Sequence, residues 1–75
     1  MTLDAVALDV PVRVVDCAAL AAPDRDALAG LGLRPGVTVV KLLKTPLGDP
    51  LECLVGSQLL AIEARLLSHI RVEAA

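Results

Sequence analysis

Apolar and polar positions first alternate along 10–15, Val-Pro-Val-Arg-Val-Val, where β-branched residues flank Arg13. This period of two predicts a strand, and Pro11, which has no amide hydrogen, belongs at its start or on a sheet edge. The period then lengthens. After Ala22-Pro23-Asp24-Arg25-Asp26, residues Ala27, Leu28 and Leu31 recur at helical intervals. Proline suits a first helical position, and the aspartates complement the positive end of the helix dipole. Gly32 should end this helix in a left-handed conformation, with Leu33 folding back as the hydrophobic contact of the cap. Arg34-Pro35-Gly36-Val37 reads as a type II turn, since proline presets the first central position and glycine accepts the positive φ of the second.

A second strand is predicted over 37–44, with imperfect alternation: Val37, Val39 and Leu43 share a face with Lys41, while Thr38, Val40, Leu42 and Lys44 share the other. Thr45-Pro46-Leu47-Gly48-Asp49-Pro50 is dense in breakers and must be a turn. Leu51, Cys53 and Val55 then alternate with Glu52 and Leu54 as a third strand. A reversal at 56–58, a fourth strand at 59–62, one helical turn at 63–68 and a last strand at 69–72 complete the reading. Five short strands and one short helix after the first strand predict a mainly β chain, folded as a small barrel. No repeat, low-complexity tract or composition shift marks a boundary, so residues 1–75 read as a single domain.

Composition narrows what such a domain can do. The chain is 75 residues long, 56% hydrophobic, and carries 7 basic against 9 acidic residues for a net charge of −2. That is too apolar and too weakly charged for a disordered chain, and too short for a two-domain enzyme. It contains no Phe, Tyr or Trp, so it lacks the aromatic platforms on which single-stranded nucleic acid stacks. Its basic residues are dispersed and outnumbered by acids, whereas nucleic-acid binding draws on a basic excess. No uncharged apolar stretch is long enough to span a bilayer, and acidic residues stand where a secretory signal has basic ones. The expected location is the cytoplasm, where Cys17 and Cys53, 36 residues apart in the sequence, read as buried free thiols.

Candidate chemistry is sparse. Cys17, Cys53 and His69, with Asp49 and Glu52 as oxygen donors, are the residues that could hold a metal. No two of them have the short spacing that lets a pair chelate from one turn, so no metal ligand is assigned. The glycines at 30, 32 and 48 are not followed by the Lys-Ser/Thr and helix start of a phosphate loop. Ser68 and His69 are adjacent, and neighbours on a strand point to opposite faces, so they do not form a nucleophile and base. Asp24 and Asp26 are ordinary first-turn acids. The expectation is a protein that catalyses nothing and needs no cofactor.

What a monomer leaves unexplained is aliphatic surface: strand two must expose part of its Val and Leu set, and Leu47, Leu54, Leu66 and Leu67 add to it. Exposed apolar patches mark interfaces. Leu31-Gly32-Leu33-Arg34-Pro35-Gly36, followed by Pro46-Leu47-Gly48-Asp49-Pro50 and a closing Ile70-x-Val72, resembles the FeoA family, accessory proteins of bacterial ferrous-iron uptake. The order of parts matches along residues 2 to 73. The sequence departs from the family pattern at Asp9, where a glycine is usual before the first strand, at Ile62-Glu63-Ala64, where Leu-Arg-Arg is common, and at Leu66-Leu67, where Glu-Ala is usual. The resemblance implies an SH3-like β-barrel that docks onto the FeoB-type ferrous-iron permease, at its cytoplasmic G-protein region. The contact residues so expected are Lys41, Lys44, Leu47, Gly48, Asp49, Arg65, Leu66 and Leu67. A homo-oligomer is a further expectation, since a free strand edge can pair with a second copy. Two rival readings are a ferrous-iron carrier using Cys17, Cys53 or His69, and a regulatory module like the C-terminal barrel of iron-dependent repressors.

Overall fold

Antiparallel pairing joins β1 (Val12–Asp16), β2 (Thr38–Lys44), β3 (Leu51–Val55), β4 (Gln58–Ile62) and β5 (Arg71–Ala74) into one sheet ordered β4-β3-β2-β1-β5. The structure is a computed structural model that describes the backbone of residues 1–75 and every side chain except that of Lys44. Two helices complete it, α1 (Ala22–Gly30) and the single turn α2 (Ala64–Leu67), together with a 3₁₀ turn at Leu3–Ala5.

Local chemistry fixes the corners. Pro23 lies in the first turn of α1, and Gly32 ends the helix at φ 102°. There the Gly32 amide donates to Ala29 O at 3.0 Å and the Leu33 amide to Leu28 O at 2.9 Å. This pair of bonds is the Schellman arrangement, and it turns the buried Leu33 back over the buried Leu28. At the next corner the Val37 amide donates to Arg34 O at 3.2 Å, with Gly36 at φ 92°, as the type II turn requires.

The closed barrel expected from the sequence is corrected to an open sheet. The outer edge of β5 is already occupied: the Leu3 amide donates to Ile70 O at 3.0 Å, the Val72 amide to Met1 O at 2.9 Å, and Thr2 bridges Arg71. β4 therefore finds no partner on that side and remains an edge. This pairing of the first residues also delays the last strand, which starts at Arg71 rather than 69, because the His69 amide still donates to Leu66 O within the α2 turn.

One face of the sheet holds the core. Val12 and Val39 face each other across β1 and β2, Cys53 and Ile62 come from β3 and β4, and Leu3, Leu33 and Ile70 close over them from the connections. On the outer face, ladder neighbours Val40, Leu54 and Leu59 form an aliphatic row across β2, β3 and β4. An irregularity between Lys41 and Leu43 gives β2 one extra residue, so that Leu43 stands opposite Glu52 and is exposed. Cross-strand pairs Arg13–Glu73 (3.1 Å) and Arg71–Asp16 (2.8 Å) line β1 and β5; they are exposed, and such pairs contribute little.

Candidate functional site

The segment that precedes β1 is laid over the middle of β2. Asp9, at φ 65°, takes the turn conformation that aspartate tolerates, and its amide donates to Lys41 O at 2.7 Å. From the same strand position the Lys41 ammonium donates to Asp4 O at 3.3 Å. The segment so pinned walls a groove of about 500 Å³, whose other side is built by Gly48, Leu51, Ala64 and Leu67. Three of the residues expected as contacts, Lys41, Gly48 and Leu67, therefore meet at one groove although they lie far apart in sequence.

The eight expected contact residues differ in how they are placed. Leu47 is 94% exposed at the tip of the turn between β2 and β3, and Gly48 lies half-buried beside it. Asp49 is exposed, and its carboxylate accepts the Ala64 amide at 2.9 Å, tying the central turn to the start of α2. Arg65 is exposed but engaged: it donates to Glu63 at 2.6 Å and, through both terminal nitrogens, to Asp24 at 3.1 and 3.3 Å. Hydrogen bonds to these two carboxylates raise the pKa of the Arg65 guanidinium further.

The exposure expected of Lys41, Leu66 and Leu67 is corrected. Lys41 is only 5% exposed, because the N-terminal segment covers it, and Leu66 and Leu67 are buried, because α2 turns them into the core rather than outward. The side chain of Lys44 lies outside the described residues. Sequence reasoning missed Asp4, Val6, Ala7 and Leu8, which line the groove. The available signals were an apolar Leu3 and a turn-forming Asp9 in a stretch that has no periodicity of its own.

Among the described residues no three His, Cys, Asp or Glu side chains converge to hold a metal ion. Both cysteines are free and buried. Burial pushes the Cys17 thiol up, with Asp16 adding to the effect, and burial pushes the Cys53 thiol up against the opposing pull of Lys41. A thiol whose pKa is higher folded than unfolded holds its proton better in the native state. Its stabilisation is thus intact below the ordinary thiol range, about 8.5, and is lost as pH rises through and beyond it. The expected result is slow reaction of both thiols with a disulfide reagent at pH 8 until the chain is unfolded, and a stability that falls in alkaline titration. Rapid modification of the native protein would contradict this placement.

A small open sheet of five antiparallel strands, with two short helices, a groove beside Lys41 and an exposed leucine turn, defines a class of small, mainly β domains. The family model for the FeoA domain matches residues 1–74, and the chain belongs to the FeoA family. Among solved structures it is similar to iron(II) transport protein A of Clostridium thermocellum, at 28% identity and TM-score 0.88, covering 100% of this chain and 46% of that one. It is also similar to the FeoA protein of Chlorobium tepidum, at 28% identity and TM-score 0.91, covering 99% of this chain and 70% of that one. A third is Stenotrophomonas maltophilia FeoA complexed with zinc, at 29% identity and TM-score 0.79, covering 97% of this chain and 89% of that one. That protein is described as a prokaryotic SH3 domain protein. No curated relative matches the chain. This chain thus spans about half of the Clostridium protein and most of the other two. No helix among the described residues is long and apolar enough to cross a membrane.

Proposed function

We propose that this protein is a non-enzymatic accessory factor of ferrous-iron uptake that acts in the cytoplasm by docking onto the FeoB-type permease, at its G-protein region. Membership in a family associated with ferrous-iron transport supports the setting. The observation that carries the docking mode is Leu47, a large aliphatic residue 94% exposed on a turn anchored from both sides. Its turn is held by the bond from the Gly48 amide to Thr45 O at 2.8 Å and by the Asp49 carboxylate on Ala64. A corner held by these two bonds presents its tip at a lower entropic cost on binding than a free loop would. Leu43, exposed nearby in sequence at the end of β2, extends the aliphatic surface, and Lys44 belongs to the same segment. Asp49, Arg65, Leu66 and Leu67 serve instead to set the turn and α2 in place.

Burying a leucine side chain at an interface contributes about 1.5–3 kcal/mol, which corresponds to roughly ten- to a hundred-fold in affinity. Leu47→Asp is therefore expected to weaken binding to the isolated cytoplasmic region of the permease by about tenfold or more, with the circular dichroism spectrum unchanged. Titration calorimetry makes the comparison, and equal affinity for the two proteins would remove the central turn from the interface.

A further inference from the structure

We propose that the groove over Lys41 is a carboxylate-binding site that takes the C-terminal end of a peptide with aliphatic last residues. Lysine is almost never this buried without an ionised partner, since desolvating its charge costs several kcal/mol. Here the ammonium is covered by the chain, yet among the described residues its only hydrogen bond goes to a neutral main-chain oxygen, Asp4 O, at 3.3 Å. It forms no ion pair among the described residues. An ammonium has three donor hydrogens, so two are left for a ligand.

The surroundings decide which anion suits it. The groove of about 500 Å³ is walled by Val6, Leu8, Leu51, Ala64 and Leu67, with Lys41 the one cation among the described residues that line it. A phosphate usually draws on several cations or a cluster of main-chain amides, whereas one ammonium matches one carboxylate. The aliphatic walls and the absence of any aromatic residue favour a branched aliphatic body over a planar ring. Asp4 also borders the groove, but its carboxylate accepts the Thr2 hydroxyl at 2.5 Å and is exposed. Its charge is screened by water, while that of Lys41 acts in a medium of lower dielectric constant. The volume falls in the range of small-ligand sites and exceeds what one short-chain acid needs, so two residues of a chain end fill it better. Docking through Leu47 does not depend on this site, and the site does not depend on docking.

The test is a titration of the isotope-labelled protein, followed by amide resonances, with N-acetyl-Leu-Leu as the free acid, its C-terminal amide, and isovalerate. The free acid is expected to shift the amides of Ala7, Gly48 and Ala64, and the amide form to bind roughly tenfold or more weakly, as loss of a charge-assisted hydrogen bond implies. Lys41→Met keeps the side-chain length, removes the buried charge and is expected to erase the difference between acid and amide. Should that variant not fold, Ala7→Trp, which narrows the groove from its rim and leaves Lys41 in place, is expected to block binding of the acid. Equal binding of acid and amide, shifts confined to another surface, no shifts at millimolar concentrations, or an undiminished acid preference in Lys41→Met would overturn the proposal. Isovalerate binding as tightly as the dipeptide would overturn the peptide-end assignment.

Discussion

Replacing Leu67 with aspartate is expected to leave the chain largely unfolded in plain buffer at room temperature. Leu67 is 3% exposed and belongs to the core cluster. Truncating a buried leucine to alanine alone costs about 2–5 kcal/mol. An unpaired carboxylate in the same place adds several more, or forces the site to open to water. A chain of 75 residues has roughly 4–11 kcal/mol of stability to lose, by the usual per-residue range. The loss is therefore of the same size as the reserve. Urea unfolding followed by far-ultraviolet circular dichroism checks it, and a cooperative transition close to that of the parent chain would sink the placement of Leu67 in the core.

The second large effect is expected at the other end of the sequence. Leu3 is fully buried, and the residues around it occupy the outer edge of β5 through the Leu3 amide and Met1 carbonyl. Leu3→Ala is expected to cost about 3 kcal/mol, in the middle of the range for buried leucine. For a domain of this size that lowers the melting temperature by roughly 12–24 °C. Scanning calorimetry reads the shift. A change of only a degree or two would mean that the N-terminal segment is a loose tail and that the wall of the groove it forms is not a fixed feature.

The corners of this fold were legible because their chemistry is local. Gly32 with Leu33, and Pro35 with Gly36, act through bonds spanning three to five residues, and both turns occur as expected. β3 runs over Leu51–Val55 as its alternation predicts, with Cys53 inward. The α2 turn was also visible, but a single helical turn does not say which of its faces meets the core. The outward placement expected of Leu66 and Leu67 therefore failed on a tertiary contact. The same holds for Lys41, whose cover is a segment 37 residues earlier with no periodicity of its own. The closed barrel expected from the sequence failed because the first residues compete for the edge of β5, a pairing that spans nearly the whole chain. Of the candidate site, the exposed turn at Leu47 was readable, and the groove was not, because its two walls meet only in the folded chain.

The extra residue in β2 has a consequence for anyone comparing relatives. It means that Leu43 meets Glu52, where regular pairing would have set residue 42 there instead. Related chains that lack this insertion will carry a different side chain on the same rung, however well their letters line up. Equivalences across this stretch are sound only when counted by rungs of the ladder, with the gap placed at Leu42.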